Sequence, residues 1–478
     1  MAVAALTFAL ALTPAQALGQ AAPLLTRADS GLVGRILLAE DRRDSSDAAL
    51  GEGASHTDPR VRALAQRARG RIRDPLYGAR DSLPRLRPPP TWVEPAWRVR
   101  YRALAPLRDD CIAMRLAMMD SVWAVRLRAL DLVRAACSTD DVLVARLHAM
   151  ADSLPTNTTK RRAGQVSWHA AAHAIVALAR LRPDEARRRL ASFSGHRTWE
   201  IRQYVARAAA IIADTTILRQ LARDANDNVA EVAIESLSRL TGHADDALFV
   251  RALDRQGAQV VRAAAIALKG TADPGAAAAA NRVFERFVAR ANASERDARV
   301  ALLEAAGRSA TADRPPPPLL SLPPHAVGLA LGAEIKLRVT IDKASGGGTI
   351  VVRLRGDVAP MMAARVLALA RSGDYDGLTF HRVEHDFVIQ GLGPGANEYV
   401  GATQFFRDEL GTVSHVRGTV GMSTRGHDTG DAQWFVNLKD NPRLDRDYTV
   451  FAEVIDGIGV IDGILEGDRV ARIRQMRR

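Results

Sequence analysis

A short run near the C-terminal end concentrates residue types that could act on a substrate. It reads Phe380-His-Arg-Val-Glu-His-Asp-Phe-Val-Ile-Gln-Gly391. Arg382 carries a guanidinium that stays charged and offers a rigid fork of N–H donors, which a lysine could not reproduce. Such a donor can stabilise a substrate through hydrogen bonds alone, without a nucleophile, a metal or a proton relay. Taken by itself, however, Arg382 would be an ordinary surface arginine.

Three other motifs suggest chemistry but lack the residues that it needs. Ser423 lies in Gly-Met-Ser-Thr-Arg, which is not the G-x-S-x-G turn of a hydrolase. The run Gly391-Leu-Gly-Pro-Gly395 contains a proline and precedes no lysine-bearing helix, so it is not a phosphate loop. His169 and His173 have the spacing of two zinc ligands on a helix, but only alanines lie between them and no third ligand is near. We predict no metal site.

The elements around the Arg382 run are predicted from hydrophobic periodicity. Residues 334–342 and 349–355 alternate apolar and polar side chains, as strands do. Pro360 to Ser372 has an apolar stripe and a proline in its first turn, as a helix does. Short β-rich runs separated by Gly, Asp and Asn follow. We therefore predict that residues 329–478 form a closed β-barrel with two helices at its ends.

The Arg382 run resembles the F-H-R-V-x-x-x-F-[MV]-x-Q-G signature of the cyclophilins, which are peptidyl-prolyl cis-trans isomerases. Further matches follow in the family's order and spacing over nearly all of residues 333–465. They are Gly421-Met-Ser, Ala432-Gln-Trp-Phe and Leu444-Asp-Arg-Asp-Tyr-Thr-Val-Phe-Ala-Glu-Val454. The resemblance implies the cyclophilin fold, isomerase activity on X–Pro bonds and no cofactor.

The resemblance also implies a role for individual residues. Arg382 would donate to the prolyl nitrogen, which becomes a hydrogen-bond acceptor when the amide twists out of conjugation. Gln390 would fix the substrate backbone, and Phe387 would join these two as a catalytic residue. The substrate-binding residues implied in the same way are Phe380, Val388, Met422, Ser423, Gln433, Phe435, Leu444 and Tyr448.

Three positions depart from the family's pattern. Arg443 stands where many members carry a tryptophan, which predicts weak cyclosporin sensitivity with catalysis retained. Tyr448 replaces a pocket histidine of eukaryotic members. Leu392 follows Gln390-Gly391 where the family usually continues Gly-Asp, which leaves the conformation of this loop open.

Residues 30–310 are predicted to form a helical array. Phrases such as Val125-Arg, Ile201-Arg and Val261-Arg recur roughly every 30 to 45 residues, the period of two-helix repeat units. The pattern resembles HEAT repeats, and the recurrent arginine is predicted to bind nearby carbonyls or aspartates. Residues 311–328 hold six prolines within a dozen positions and are predicted to be a stiff linker.

Composition and the N-terminal sequence bear on the charge of each segment and on the cellular compartment of the protein. Residues 331–478 carry 19 basic and 20 acidic side chains, which leaves 47 basic and 34 acidic ones for the first 330 residues. Ala2 to Leu12 is apolar and Ala15-Gln-Ala17 has the form of a cleavage site, so residues 1–17 are predicted to be a signal peptide, although no basic residue precedes the apolar run. The protein would then be periplasmic or secreted, less plausibly cytoplasmic. Cys111 and Cys137 could pair there or remain two buried thiols.

Three functional hypotheses follow. The first is an isomerase for exported or envelope proteins whose array docks clients or a protein partner. The second is a scaffold that binds proline-containing peptides with little turnover. The third, a basic array that binds nucleic acid, is disfavoured because aromatic residues do not alternate with the basic ones. We expect no nucleic-acid partner and no transmembrane span in the mature chain.

Overall fold

In the computed structural model, the chain is mainly helical up to residue 330 and mainly β-strand after it. The structure describes residues 25–74, 92–153, 168–313, 321–342 and 347–477. The predicted signal peptide, Pro84 to Pro90 and residues 314–320 of the predicted linker lie outside these ranges. Within them, no helix has the length and apolar character needed to cross a bilayer.

Sixteen α-helices precede the linker in the described residues. They are α1 Arg27–Arg42, α2 Ala48–Ala54, α3 Pro59–Arg73, α4 Trp97–Ala103, α5 Cys111–Ala117, α6 Trp123–Leu132, α7 Asp141–Ala151, α8 His169–Leu181, α9 Pro183–Phe193, α10 Trp199–Ile211, α11 Thr215–Leu221, α12 Asp227–Thr241, α13 Asp246–Ala252, α14 Ala258–Ala267, α15 Pro274–Ala289 and α16 Arg296–Ala305.

The helices from α6 onward stack in two layers. Helices α6, α8, α10, α12, α14 and α16 pack each against the next, and the odd-numbered helices cover them as a second layer. The recurrent sequence phrases fall on the first of these layers. The helical prediction is thereby confirmed, while the assignment to HEAT repeats stays a prediction.

The recurrent arginine can bind the loop that precedes its own helix, as Arg62 of α3 and Arg202 of α10 do, whereas Arg262 of α14 pairs with Glu231 and Glu235. Arg62 Nη1 donates to the carbonyl oxygen of His56 at 2.6 Å, and Arg202 Nη1 donates to that of His196 at 2.6 Å. Arg202 also forms two hydrogen bonds with Asp224, of 2.6 and 2.7 Å. These arginines satisfy backbone carbonyls that a loop end would otherwise leave unpaired. Their charge therefore serves the architecture.

The C-terminal domain is a curled antiparallel sheet with three helices. The sheet order is β3-β4-β6-β5-β7-β2-β1-β8. The strands are β1 Lys336–Ile341, β2 Gly348–Leu354, β3 Phe380–Val383, β4 Val388–Gly391, β5 Thr419–Met422, β6 Trp434–Asn437, β7 Val450–Asp456 and β8 Val470–Gln475, and the helices are α17 Ala326–Ala330, α18 Pro360–Ser372 and α19 Ile458–Asp462. The first two predicted strands and the helix at Pro360 are confirmed.

The two edges of this sheet meet over a few residues. The Phe380 N–H donates to the Asp468 carbonyl at 2.9 Å, and the Val470 N–H donates to the Leu378 carbonyl at 2.8 Å. Between these two bonds lies an isolated β-bridge, which pairs Thr379 with Arg469. The sheet is thus curled, with its edges joined at one place, where the sequence predicts a fully closed barrel.

Helices α1 to α3 share their hydrophobic core with the sheet rather than with the stacked helices. Ile36 and Leu64 lie in one buried cluster with Met362 and Leu367 of α18. A second cluster runs through the stacked helices from Leu104 onward. The boundary between the two hydrophobic cores therefore does not coincide with the boundary between the predicted segments 30–310 and 329–478. The bounds of these segments stay predictions.

Helix α4, the stacked helices and the loop before α16 contact the C-terminal domain at successive positions along the chain. The contacts join Arg98 to Asp462, His169 to the Glu466 carbonyl, Tyr204 to the Glu466 carboxylate, Asn228 to the Gly395 carbonyl, and the Ser294 carbonyl to Arg425. His169, considered above as a zinc ligand, therefore serves this interface. His173 bonds Asp131 at 2.6 Å within the array. The segments on either side of the predicted stiff linker are thus in direct contact.

Cys111 and Cys137 form a disulfide, with 5.3 Å between their Cα atoms and 26 positions between them in the sequence. Closing a loop of this length restricts the unfolded chain, which stabilises the fold by about 3.5 kcal/mol in the chain-entropy model. We expect the double variant Cys111→Ala/Cys137→Ala to unfold at a lower urea concentration. The fluorescence-detected midpoint measures this, and reductant should shift the midpoint of the wild type but leave that of the variant unchanged. Equal midpoints for both proteins without reductant would contradict the expectation.

Candidate active site

A strand pairing brings the residues of the Arg382 run together. In the β3–β4 hairpin Arg382 lies opposite Gln390, and in the next pair Gln390 lies opposite Phe435 of β6. A tight turn allows this, since the Phe387 N–H donates to the Glu384 carbonyl at 2.8 Å. Residues directly opposite each other in antiparallel strands project to the same face. The eight-residue spacing from arginine to glutamine thus places three side chains in a row.

A chain of hydrogen bonds positions the guanidinium. Arg382 Nη1 donates to Gln390 Oε1 at 3.2 Å, and Gln390 Nε2 donates to Ser423 Oγ at 2.8 Å. On its other side Arg382 Nε donates to Glu384 Oε1 at 2.8 Å. The Arg382 side chain nevertheless remains 43 % exposed. It is therefore oriented and still open to a substrate.

An apolar pocket lies beside this row. Val388, Phe435 and Leu444 form a buried cluster separate from the core of the sheet, and Phe387 and Tyr448 pack against it while partly exposed. The rings of Phe435 and Tyr448 meet edge to face, with 5.5 Å between centroids. An apolar cluster that stays outside the core and opens beside a charged donor can hold a small apolar ring.

Two residues behind Phe435 position its ring, and the sequence analysis identified neither. A Cβ on Gly421 would lie 2.3 Å from the end of that ring, so only glycine fits there. On the other side the His415 ring stacks at 5.7 Å, and the Asp445 carboxylate accepts from the His415 backbone N–H at 2.8 Å. Gly421 stood in a quoted motif that could have indicated it, whereas no sequence signal surrounds His415.

Three predicted substrate-binding residues are not on the exposed surface of the pocket. Phe380 and Met422 are buried in the main core of the sheet, at 4 % and 0 % exposure. Gln433 is also buried, and its amide nitrogen donates to the Val400 carbonyl at 3.2 Å. In this structure they pack the sheet and one loop. The other eight predicted site residues, which include Arg382, lie at the apolar pocket or beside it.

The three departures from the family's pattern have visible consequences. The Arg443 guanidinium lies over the Phe387 ring, 4.2 Å from its centroid, and so covers part of the pocket rim. Tyr448 packs against the cluster of Val388, Phe435 and Leu444. Leu392 adopts a left-handed conformation with φ of 70°, which glycine adopts without strain and leucine does not. Its side chain is buried, which offsets the strain.

The histidine beside Arg382 adds no charge to the site. Burial, and next to it the positive charge of Arg382, lowers the pKa of His381 to about 4. His381 is therefore neutral at physiological pH and adds no charge beside Arg382.

The curled antiparallel sheet, with the exposed and hydrogen-bonded Arg382 beside an apolar cluster, is the arrangement that the resemblance to the prolyl isomerases leads us to expect. The sequence model described as cyclophilin type peptidyl-prolyl cis-trans isomerase matches residues 337–477. Through this domain the chain belongs to the cyclophilin family, and it is an isomerase of that type.

Relatives of the domain come from distant organisms. A peptidyl-prolyl cis-trans isomerase of Helicobacter pylori is 35 % identical over 130 residues, which are 26 % of this chain and 80 % of the relative. The isomerase ppi1 of Schizosaccharomyces pombe is 36 % identical over 133 residues, or 27 % of this chain and 82 % of the relative. A cyclophilin-type isomerase crystal structure from Cryptosporidium parvum is 22 % identical, with a TM-score of 0.28, and covers 30 % of this chain and 99 % of its own.

Proposed function

We propose that this isomerase acts on X–Pro bonds of exported or cell-envelope polypeptides, and that the helical array, a HEAT-like solenoid, presents these clients to the active site. The observation that carries the catalytic part is the Arg382–Gln390–Ser423 hydrogen-bond chain beside the Phe435 pocket. The docking part rests on the direct contact between the array and the catalytic domain.

In the proposed mechanism the pocket holds the proline ring and the arginine acts on its nitrogen. Rotation about the amide costs roughly 18 to 20 kcal/mol because conjugation is lost. As it is lost, the nitrogen regains a lone pair, and the Arg382 guanidinium can donate to it. This bond forms only in the twisted state, so it lowers the barrier rather than merely tightening binding. Gln390, which is 4 % exposed, accepts from Arg382 and donates to Ser423, and so orients the guanidinium.

The alternative is a scaffold that binds proline-containing peptides without turnover. Binding an apolar ring needs the pocket of Val388, Phe435 and Leu444, but it does not need a cation beside that pocket. The structure keeps Arg382 tethered from two sides by Glu384 and Gln390. We therefore favour the enzyme.

Two observations support the extracytoplasmic part of the proposal. The Cys111–Cys137 disulfide belongs in an oxidising compartment. Recurrent arginines such as Arg62 and Arg202 bind their own loops, which weakens the case for nucleic acid as a ligand.

Cell fractionation tests this location. We expect the full chain, expressed in a Gram-negative host, to appear in the periplasm, cut after Ala17 and with Cys111 and Cys137 unreactive to a thiol reagent. Deleting residues 2–12 is the control and should retain the protein in the cytoplasm. An intact N-terminus with reactive thiols in the cytoplasmic fraction would contradict the proposal.

Arg443 predicts how the enzyme responds to cyclosporin. Because Arg443 covers the Phe387 ring and offers no indole N–H, we expect weak inhibition of the natural protein. Arg443→Trp should lower the inhibitory concentration at least about tenfold, the value of one good hydrogen bond, with peptide isomerisation little changed. Arg443→Ala separates removal of the guanidinium from gain of the indole, and equal inhibition of Ala and Trp variants would refute the explanation.

A further inference from the structure

A cavity of about 480 Å³ lies between the array and the catalytic domain. Helices α10 and α12 form one wall, and β3 with the loop after β4 forms the other. Arg382 lines this cavity too, so it adjoins the active site. Its volume is within the roughly 300 to 1,000 Å³ of ligand pockets. The walls include Gln203, Glu231, Glu235, His381 and Glu398.

The charge of the cavity is opposite to that of the array. Among the described lining residues, five are glutamates and two are arginines, Arg207 and Arg382. The glutamates are Glu200, Glu231, Glu235, Glu398 and Glu466. The first 330 residues as a whole carry 47 basic and 34 acidic side chains. Three of the five carboxylates belong to the basic array and two to the catalytic domain, and their excess over the two arginines favours a cationic ligand at this place.

One of these carboxylates lacks sufficient positive charge around it. Glu231 is 9 % exposed, and its nearest cation, Arg262, is 3.3 Å away and shared with Glu235 at the same distance. The Arg262 guanidinium also stacks on the Tyr399 ring, at 4.0 Å. Burial, followed by the charge of Glu235, raises the pKa of Glu231 to about 8. A second cation in the cavity would stabilise the ionised form.

The cavity also contains polar groups suited to a peptide. Both ring nitrogens of His381 and the Oε1 atom of Gln203 are buried and have no hydrogen-bond partner among the described residues. The neutral His381 ring offers one donor and one acceptor, and the Gln203 oxygen offers an acceptor. Backbone N–H and C=O groups of a peptide could satisfy all three atoms, whereas a metal ion could bind the ring acceptor and the Gln203 oxygen but not the ring N–H.

We propose that this cavity extends the substrate groove and binds a lysine or arginine side chain located a few residues from the client's proline. The array then selects substrates as well as holding the catalytic domain. Glu231, Glu235 and Glu398 receive the cationic group, while Gln203 and His381 meet the client backbone. This inference rests on the proposed function, because the bound segment must also place its proline in the Phe435 pocket.

A pair of peptides tests the inference on the full chain. Each contains one Ala-Pro bond, flanked on both sides by lysine in one peptide and by norleucine in the other, and NMR exchange spectroscopy gives kcat/KM. We expect the lysine peptide to be preferred by about tenfold, as one charge-assisted hydrogen bond would give. In Glu235→Gln/Glu398→Gln that ratio should fall towards one.

The matched control is Glu304→Gln. The Glu304 side chain has the same 37 % exposure as that of Glu235 and belongs to the same array, but it pairs with Lys269 away from the cavity. This variant should keep the tenfold ratio. Loss of the ratio in Glu304→Gln as well would mean that overall charge, not the cavity, sets the preference, and would overturn the inference.

The outcomes separate this inference from the proposed function. Equal turnover of both peptides by the wild type overturns the lysine subsite and leaves the isomerase intact. If neither peptide is turned over, the proposed function fails, and titration of the two peptides followed by NMR shifts then decides the subsite. Tighter binding of the lysine peptide, abolished in Glu235→Gln/Glu398→Gln, would support it, and equal binding would overturn it.

Discussion

Arg382→Ala is expected to lower kcat/KM for an Ala-Pro peptide by about 10² to 10³, the usual loss when one donor to a transition state is removed. The affinity for the peptide should change little, because the Val388, Phe435 and Leu444 pocket is intact in the variant. Exchange spectroscopy measures the rate, and a titration under the same conditions measures binding. Arg382→Lys should recover only a small part of the rate, since an ammonium cannot reproduce the donor fork.

Arg469→Ala is the matched control for this experiment. Arg469 also lies on the catalytic domain, is 55 % exposed against 43 % for Arg382, and forms an ion pair with a single carboxylate, Asp342. Its removal should leave the rate unchanged. Full activity in Arg382→Ala would instead show that another group carries the catalysis, whereas absence of turnover by the wild type would favour the scaffold hypothesis.

Arg71→Met is expected to destabilise the protein by about 3 to 5 kcal/mol, because it removes the cation that faces the buried carboxylates of Glu40 and Glu409. Arg71 Nη1 donates to Glu40 Oε1 at 2.7 Å, and the other guanidinium nitrogens donate to the Leu410 and Val358 carbonyls at 2.9 and 2.8 Å. Glu409 lies 3.9 Å from the same group. The substitution would therefore remove contacts of α3 with α1 and with two loops of the C-terminal domain.

The pH dependence of this loss has a definite sign. Burial already raises the pKa of Glu409, and the charge of Arg71 is the largest effect opposing it. Without Arg71 the folded state binds protons that the unfolded state releases, so the variant should lose further stability as pH rises from about 5 to 8. Urea unfolding at both pH values measures this. A deficit that shrinks towards pH 8 would contradict the assigned role.

Arg35→Met shows what an exposed pair contributes in the same helical segment. Arg35 pairs with Glu52, and the two side chains are 55 % and 56 % exposed. Such surface pairs are worth about 0 to 1 kcal/mol. A loss from Arg35→Met as large as that from Arg71→Met would show that segment 27–73 is simply intolerant of substitution.

The predictions that succeeded depend on short-range patterns. Apolar periodicity and a first-turn proline gave the helix Pro360–Ser372 with the bounds that the structure has. The spacing between Arg382 and Gln390 belongs to a hairpin, so the contact between them is local in sequence. The resemblance of this run to the family's signature indicated both residues, and their catalytic roles stay predictions.

The unpredicted features depend on residues far apart in the chain. The Tyr204–Glu466 hydrogen bond joins positions 262 residues apart, and Asn228 meets Gly395 across 167. His415 lies behind Phe435 because of a loop path that no periodicity encodes. For the same reason the prolines before residue 320 correctly marked a change in composition but gave no information on how the segments pack.

The shared core of α1 to α3 and the sheet has a consequence for the order of folding. Ile36 and Leu64 leave the ribosome about 300 residues before their partners Met362 and Leu367. Their apolar faces cannot be covered until α18 and the sheet have been synthesised, and contacts so distant in sequence close slowly. A segment synthesised much later therefore completes the core of α1 to α3, and the nascent chain exposes these apolar faces to aggregation in the interval.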